Sequence, residues 1–260
     1  GVSIKGSLPV STKHFKINSG FNTDSIRLSY NLFSLNQFQP ELGYKIDSIV
    51  KAAMEEKAIP GCQILIAKHG EVLFKESYGF HTYERKIKVE DSDVYDLASI
   101  TKIGATVPIL MKLIDENLFH LDSTLGDYLS LEGSNKDDLV IRKILAHQSR
   151  LIPWIPFYRQ TLEQENTTDL MKLRDTLYSK IESDVFSVNV ADSLYLHFSF
   201  PDSIIKQVID SELLEKEEYV YSDLGYYLLK EIIEKVIGQD LDEYLEGNFY
   251  KKLGMENLCF

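Results

Sequence analysis

The feature that most constrains this chain is an apolar stripe that begins at a Ser-x-x-Lys sequence. After Ser99, apolar residues recur at the spacing of one helix face, at Ile103, Val107, Leu110 and Ile114, with Leu113 widening the stripe. Pro108 lies inside this pattern, where it is expected to kink the helix or free one carbonyl. The pattern predicts a helix that runs from Ser99 to about Asn117.

This helix would place Ser99 in its first turn and Lys102 three residues later. Positions i and i+3 lie on one helix face, so the two side chains can meet. Backbone N–H groups and the dipole at a helix N-terminus favour developing negative charge. The pair therefore suits a nucleophile with a base beside it. A capping serine and a solvated lysine fit the same four residues, so the string alone does not decide.

Composition and charge exclude several functional classes. The chain has 260 residues, 44% of them hydrophobic, which is enough for a large core within one domain. No apolar run approaches the roughly 18 residues of a membrane-spanning helix, and no signal-type N-terminus is present. Residues 1–40 carry a net charge of +3, so the rest of the chain carries −15 of the total of −12. This balance argues against a nucleic-acid partner.

Cysteine and histidine spacing predicts neither a metal site nor another cofactor. Cys62 and Cys259 are far apart, and their pairing is open. The histidines lack ligand-like spacing; they are His14, His69, His81, His120, His147 and His197.

The N-terminal part predicts a leader followed by the start of a domain. Residues 1–43 are interpreted as a linker or a remnant of an upstream domain, with edge-strand character, and residues 44–260 as one domain. An amphipathic helix, with Ile46, Ile49, Val50 and Ala53 on its apolar face, should end before Pro60.

A β-hairpin is predicted next. Cys62 to Ala67 and Val72 to Tyr78 read as its two strands, with Gly70 supplying a positive φ in the turn. A short helix is expected from about Leu139 to Ala146.

Residues 150–215 differ in texture and are interpreted as a helical insertion. They hold Trp154, the only tryptophan, in an aromatic segment broken by prolines. Such a segment fits a pocket wall, which makes Trp154 a candidate substrate-binding residue; packing of a surface subdomain fits equally well.

A second constellation is Tyr221-Ser222-Asp223 at the head of another helical stripe. Leu224, Leu228, Ile232 and Val236 form the stripe, and Gly238 ends it. Ser222 or Asp223 suits an N-cap. A phenol at Tyr221 beside Ser99 and Lys102 would be able to shuttle a proton if a nearby cation favoured its ionised form.

Taken in order, these pieces resemble the serine β-lactamase, penicillin-binding protein and esterase superfamily, and within it the class C-like branch. The matching segments span roughly residues 44 to 260 and are Gly61–Phe80, Ala98-Ser99-Ile100-Thr101-Lys102, Leu121-Asp122, Leu145-Ala146-His147-Gln148-Ser149 and Tyr221-Ser222-Asp223-Leu224-Gly225-Tyr226. The stretch from His147 to Tyr158 is similar to a narrower group, the hydrolase modules fused behind family-3 β-N-acetylglucosaminidases in bacteria.

The resemblance implies an α+β fold, a helical subdomain plus an antiparallel sheet, and an acyl-enzyme mechanism. Ser99 would attack a carbonyl, Lys102 would take its proton, and Tyr221 would relay protons to the leaving group. The Ser99 backbone N–H would be one oxyanion donor. Asp223 would contact substrate. The narrower likeness implies cell-wall-derived substrates, a periplasmic or other extracytoplasmic location, and a covalently fused upstream glycosidase.

Three departures from the family pattern carry expectations of their own. Asp223 stands where the class C pattern has Asn; its charge would keep Lys102 protonated, or it would point away and cap the helix. Arg150 stands where many relatives have Gly, so a differently shaped loop is expected. The family also has a strand with a Lys-Thr-Gly or His-x-Gly motif later in the chain, and no such motif occurs after Tyr221 in this sequence. The chain is therefore expected to be C-terminally truncated with an incomplete sheet, nearly inactive alone, and part of a competent hydrolase.

Two function classes remain open at this point. One is a serine hydrolase of esterase, D-amino-acid peptidase or β-lactamase type, acting on a small-molecule or peptide substrate. The other is a catalytically silent relative that binds cell-wall material or serves as a structural module attached to a glycosidase.

Overall fold

The computed structural model describes residues 3–7, 10–25, 28–30, 40–164 and 171–255. The chain divides into two compact units. In the described residues, the first comprises 3–7, 18–25, 28–30, 40–98 and 248–255, and the second 10–17, 99–164 and 171–247. Cys259 lies outside the described residues, so the pairing of the two cysteines stays open.

In its described residues up to Ala98, the first unit contains two antiparallel strand pairs and one helix. Its elements are β1 (Ser3–Ser7), β2 (Gly20–Ser25), α1 (Pro40–Glu55), β3 (Gly61–Lys68) and β4 (Glu71–Gly79). Strand β3 pairs with β4 through a tight turn in which His69 and Gly70 have φ of 53° and 80°. Both turn residues thus have the left-handed conformation of a type I′ hairpin, and the predicted hairpin is confirmed.

Residues of the predicted leader form strand structure in this unit, in the β1–β2 pair and at Ser29. Ser29 forms a parallel bridge with Glu71, its N–H donating to the Gly70 carbonyl and its carbonyl accepting from the Val72 N–H. The boundary between a leader and a domain near residue 43 stays a prediction.

The second unit is built from helices and small antiparallel sheets. A π-helical turn (Lys102–Thr106) leads into α2 (Val107–Asp115), and the remaining elements are α3 (Ile141–Leu145), a 3₁₀ turn (Phe157–Thr161), β5 (Leu162–Gln164), β6 (Met171–Leu173), β7 (Tyr178–Ser179), β8 (Val188–Ala191), β9 (Leu194–Leu196), α4 (Phe200–Asp210), α5 (Leu224–Ile237) and α6 (Leu241–Leu245). A second π-helical turn (Glu246–Tyr250) follows and crosses the division of the chain after Gly247, so that α7 (Lys251–Leu253) belongs to the first unit.

Helix α5 is the centre of the core of the second unit. It contacts α3, α4, α6 and the Lys102–Thr106 turn. Its fully buried apolar residues are Leu224, Leu228, Leu229, Ile232 and Ile233. Gly238 ends the helix with φ of 72°, the left-handed conformation of a glycine C-cap. The helix predicted from this stripe is confirmed.

The helix predicted from Ser99 exists, but its apolar face differs from the expectation. Ile103 is 68% exposed, whereas Ala105, Ile109, Leu110 and Leu113 are buried. Leu110 and Leu113 belong to the predicted stripe and are buried as expected, whereas Ile103 lies within the π-helical turn, where the backbone departs from a period of 3.6 residues. The helix ends at Asp115, and Asn117 has a positive φ of 57°, close to the predicted end.

The helical insertion expected over residues 150–215 is wrong in its secondary structure. The described part of this range holds five short strands beside one 3₁₀ turn and helix α4. Strands β7, β9 and β8 form an antiparallel sheet in that order. Strands of two to four residues are too short for their periodicity to distinguish them from helical segments.

These elements confirm an α+β fold with small antiparallel sheets. In the part of the chain that the structure describes, no helix has the length and apolar character to cross a bilayer.

Candidate active site

The site brings together the three residues predicted to be catalytic. The Tyr221 hydroxyl donates to Ser99 Oγ at 2.7 Å, and Lys102 Nζ donates to the same oxygen at 3.2 Å. Ser99 is exposed, and Tyr221 is 42% exposed. A serine oxygen thus lies open to solvent, within proton-transfer distance of an amine and a phenol.

The local backbone explains how Ser99 and Lys102 meet. The Lys102 N–H donates to the Ser99 carbonyl at 3.1 Å, and Thr101 between them has right-handed helical dihedrals. A single helical turn therefore separates the two residues, and their side chains lie on one face as the i, i+3 spacing predicted.

Asp223 pairs with Lys102 rather than capping helix α5 with its side chain. Lys102 Nζ donates to Asp223 Oδ1 at 2.6 Å. Asp223 occupies the N-cap position of α5 but makes no side-chain capping hydrogen bond. Of the two alternatives for this departure from the family pattern, the structure has the one in which the carboxylate acts on Lys102.

The electrostatic result is a protonated lysine. Burial opposes the charge on Lys102, but hydrogen bonds and charges from Asp223 and Tyr221 outweigh it, so the pKa of Lys102 is raised above its ordinary value. The side chain of Lys102 is only 15% exposed, against 39% for Asp223. The amine nearest to Ser99 is therefore a cation in this arrangement.

Ser222 fixes the first turn of α5 next to the site. It is buried; its hydroxyl donates to the Ile152 carbonyl at 2.7 Å and accepts from the Leu224 N–H at 3.2 Å. The Asp223 N–H donates to the Pro153 carbonyl at 2.9 Å. These bonds fix the direction in which the Tyr221-Ser222-Asp223 segment approaches Ser99.

Two aromatic residues of the site were not identified from the sequence as site residues. His147 packs on Tyr221 with ring centroids 4.4 Å apart, and on Tyr226 at 5.6 Å. Lys102 Nζ lies 5.2 Å from the ring centre of Tyr221 and 5.4 Å from that of Tyr226. Both residues belong to the motif segments named above, but only the fold shows that the Tyr226 ring faces the cation and that His147 packs on Tyr221 and Tyr226.

Burial changes the titration of both newly identified residues. It raises the pKa of Tyr226. It lowers the pKa of His147, and the positive charge of Lys102 adds to this effect. Both groups are thereby favoured in their neutral forms.

Trp154 adjoins a residue that holds Asp223, and Arg150 is bonded to Leu214. Trp154 follows Pro153, whose carbonyl holds Asp223, but its side chain is 54% exposed. Its role in binding substrate stays a prediction. Arg150 has φ of 64°, a conformation that glycine adopts without strain, and its Nε donates to the Leu214 carbonyl at 2.6 Å.

A polar cavity of about 490 Å³ lies elsewhere in the second unit. Its lining includes Lys143, Arg150 and Glu217, and none of Ser99, Lys102 and Tyr221. It is therefore separate from the chemistry described above.

Comparisons with known proteins agree with this geometry. Residues 46–260 match the family model described as Beta-lactamase. Over 218 residues the chain is 26% identical to "Protein flp" of Staphylococcus aureus, covering 83% of this chain and 38% of that protein. Over 265 residues it is 25% identical to a "Putative D-alanyl-D-alanine carboxypeptidase" of Escherichia coli O157:H7, covering 97% of this chain and 51% of that protein.

A solved structure shares the fold. The octameric penicillin-binding protein homologue from Pyrococcus abyssi superposes with a TM-score of 0.58 at 25% identity, over 82% of this chain and 43% of that one. The chain thus spans about half or less of the length of these relatives. Because the family match covers most of the chain and the predicted motif residues meet in the second unit, the chain belongs to the Beta-lactamase family, with the β-lactamase/transpeptidase-like fold of that family.

Proposed function

We propose that this chain carries the nucleophile of a serine hydrolase that acts through an acyl-enzyme on Ser99. The observation that carries the proposal is the convergence of Lys102 Nζ and the Tyr221 hydroxyl on Ser99 Oγ, at 3.2 and 2.7 Å. Membership of a family of serine hydrolases supports it. The chemistry needs no group beyond these side chains and a water molecule.

In the proposed acylation, Ser99 forms the new bond and Lys102 and Tyr221 transfer the protons. Ser99 Oγ forms a bond to the substrate carbonyl carbon while its proton passes to a neutral Lys102 amine. The carbonyl oxygen gains the negative charge and accepts from the Ser99 backbone N–H. When the tetrahedral intermediate collapses, Tyr221 donates its proton to the leaving group and regains one from Lys102. Water then attacks the ester carbon and gives a proton to the neutral Lys102 amine; the bond from that carbon to Ser99 Oγ breaks, Oγ takes the proton from Lys102, and the carboxylic acid is released.

Lys102 must lose its proton before it can act as this base. The Asp223 carboxylate at 2.6 Å opposes that loss, because it stabilises the ammonium form. We therefore expect acylation to be slow at neutral pH and to accelerate as the pH rises.

The proposed substrates are esters or amides of cell-wall origin. The names of a related D-alanyl-D-alanine carboxypeptidase and a penicillin-binding protein homologue support this class, as they describe proteins of peptidoglycan chemistry or penicillin binding. A D-amino-acid peptide, an ester and a β-lactam all present the carbonyl that the mechanism needs. An extracytoplasmic location and a fused glycosidase belong to the same proposal.

A catalytically silent module is the second candidate, and the Lys102–Asp223 ion pair is the observation that favours it. If Lys102 never becomes neutral, Ser99 has no base at Nζ, and the same fold would bind cell-wall fragments without turning them over.

A reactive fluorophosphonate separates the two candidates. We expect intact mass spectrometry to show one added phosphonyl group on the chain at mildly alkaline pH, absent from Ser99→Ala. Ser199 makes a matched control, because its hydroxyl is also exposed and lies 2.9 Å from a histidine nitrogen, His197 Nδ1. Ser199→Ala should label like the unsubstituted chain. A folded full-length protein that takes up no label across the pH range would support the silent module.

A further inference from the structure

His147 holds the backbone on both sides of the proposed proton relay. The Val220 N–H donates to the His147 carbonyl at 2.9 Å, and the Ser222 N–H donates to His147 Nδ1 at 3.2 Å. Between these two anchors, the imidazole ring lies against the Tyr221 ring at 4.4 Å with an interplanar angle of 33°. One residue therefore contacts Tyr221 itself and the backbone amides immediately before and after it.

This bracket fixes where the Tyr221 hydroxyl can point. The phenol reaches Ser99 Oγ at 2.7 Å, and an error of about 1 Å in such a contact is enough to impair proton transfer. Tyr221 is 42% exposed, so few side chains pack against its solvent-facing side. The contacts with His147 therefore contribute much of the restraint on the position of the Tyr221 ring.

The hydrogen bond to Nδ1 also selects a protonation state. A nitrogen that accepts from the Ser222 N–H has no proton of its own, so the neutral ring carries its hydrogen on Nε2. In the imidazolium form both nitrogens are donors, and this bond is lost.

Charged and titratable groups from three neighbouring segments face the His147 imidazole ring. They are Lys102 on the π-helical turn, Asp223 and Tyr226 at the start of α5, and Tyr219 and Tyr221 on the segment before it. Lys102 disfavours a second cation, and Asp223 favours it.

We propose that neutral His147 is a positioning residue that holds Tyr221 on Ser99, and that protonation of Nδ1 releases Tyr221 and slows acylation. The predicted effect on the acylation rate rests on the proposed function, whereas the predicted tautomer of His147 does not depend on it. The lowered pKa of His147, caused first by burial and then by the charge of Lys102, agrees with a ring that stays neutral at physiological pH.

The first test needs no activity. Long-range ¹H–¹⁵N correlation spectra of the ¹⁵N-labelled chain, assigned through His147→Asn, should show an unprotonated Nδ1 and a protonated Nε2. The titration midpoint should lie below about 6.5. A proton on Nδ1 in the neutral ring, or a midpoint above that value, would overturn the proposal even if Ser99 labels as expected.

The second test measures the fluorophosphonate labelling rate of Ser99 from about pH 5 to about pH 9. His147→Asn is the informative variant, because its Oδ1 replaces Nδ1 as an acceptor, cannot be protonated, and asparagine tolerates the φ of 56° at this position. His147→Ala removes the acceptor and the ring. Thermal unfolding of both variants checks that they fold.

We expect His147→Ala to label about tenfold more slowly at alkaline pH, the effect of one lost hydrogen bond and its restraint. His147→Asn should stay within about threefold of the parent there, and should lose the extra fall in rate that the parent shows below about pH 6.5. Equal rates in all three proteins, or the same acid profile in His147→Asn as in the parent, would overturn the proposal. If the parent chain does not label at all, the proposed function fails, and the spectra alone decide the role of His147.

Discussion

Replacing Asp223 with asparagine is the perturbation that most sharply separates a working base from a silent site. Asp223→Asn keeps the size of the side chain and one oxygen for Lys102 Nζ, but removes the negative charge 2.6 Å from it. The burial of Lys102, which disfavours its charged form, remains. The pKa of Lys102 should therefore fall, and a larger fraction of the amine should be neutral at a given pH.

The size of this effect follows from the geometry and the exposure of the pair. Two unit charges 2.6 Å apart attract by about 1.6 kcal/mol in water and by about 6 kcal/mol at an effective dielectric constant of about 20. Asp223 is 39% exposed, so solvent screens the pair, and exposed pairs contribute only about 0.2–1 kcal/mol. We take about 1 kcal/mol, which corresponds to about a fivefold change in the neutral fraction of Lys102.

The assay is the fluorophosphonate labelling rate of Ser99 as a function of pH. If neutral Lys102 is the base, Asp223→Asn should label about fivefold faster at about pH 7, and its rate should level off at lower pH than that of the parent. Lys102→Met, which removes the amine, should abolish labelling and serves as the control. Slower labelling of Asp223→Asn in a folded protein would refute the assignment of Lys102 as the base.

Three stability predictions follow from the same unit and are checked by thermal or urea unfolding. Ser222→Ala removes a buried hydroxyl with two backbone partners and should cost about 1–2 kcal/mol, whereas no loss would show that these bonds are replaced. Gly225→Ala should lower the free energy of unfolding by about 1–2 kcal/mol, because a Cβ at this position would collide with Ile144 Cγ2. This loss should exceed the gain from the better helix propensity of alanine, and a more stable variant would contradict the packing. The raised pKa of Lys102 adds stability that is present below the ordinary lysine value of about 10.4 and is lost as the pH rises through the raised value. The parent should therefore lose more stability than Asp223→Asn on titration above about pH 10, and parallel curves would contradict the ion pair.

Long periodic segments and turn residues with special dihedrals were predictable from the sequence. Leu224, Leu228 and Ile232 of the predicted stripe are fully buried on helix α5, so periodicity and structure agree there. The Ser99–Lys102 contact followed from the i, i+3 spacing alone. Both features depend only on residues close together in the chain.

Features that depend on distant residues or irregular backbone were not predictable in the same way. Pro108 predicted an irregularity in this helix, but not that it would be a π-helical turn at Lys102–Thr106 that leaves Ile103 exposed. The strands within residues 150–215 are too short to show a period. The place of His147 depends on contacts with residues more than seventy positions away, and its positive φ has no signature in the residue type.

The central claim is that Ser99 is the acylated nucleophile, and peptide mapping of the phosphonylated chain tests it most directly. After labelling at mildly alkaline pH and proteolysis, tandem mass spectrometry should place the phosphonyl group on Ser99, with no other serine modified to a comparable extent. A label on another serine would contradict the account. So would the absence of any label on both the folded parent chain and the folded Asp223→Asn variant.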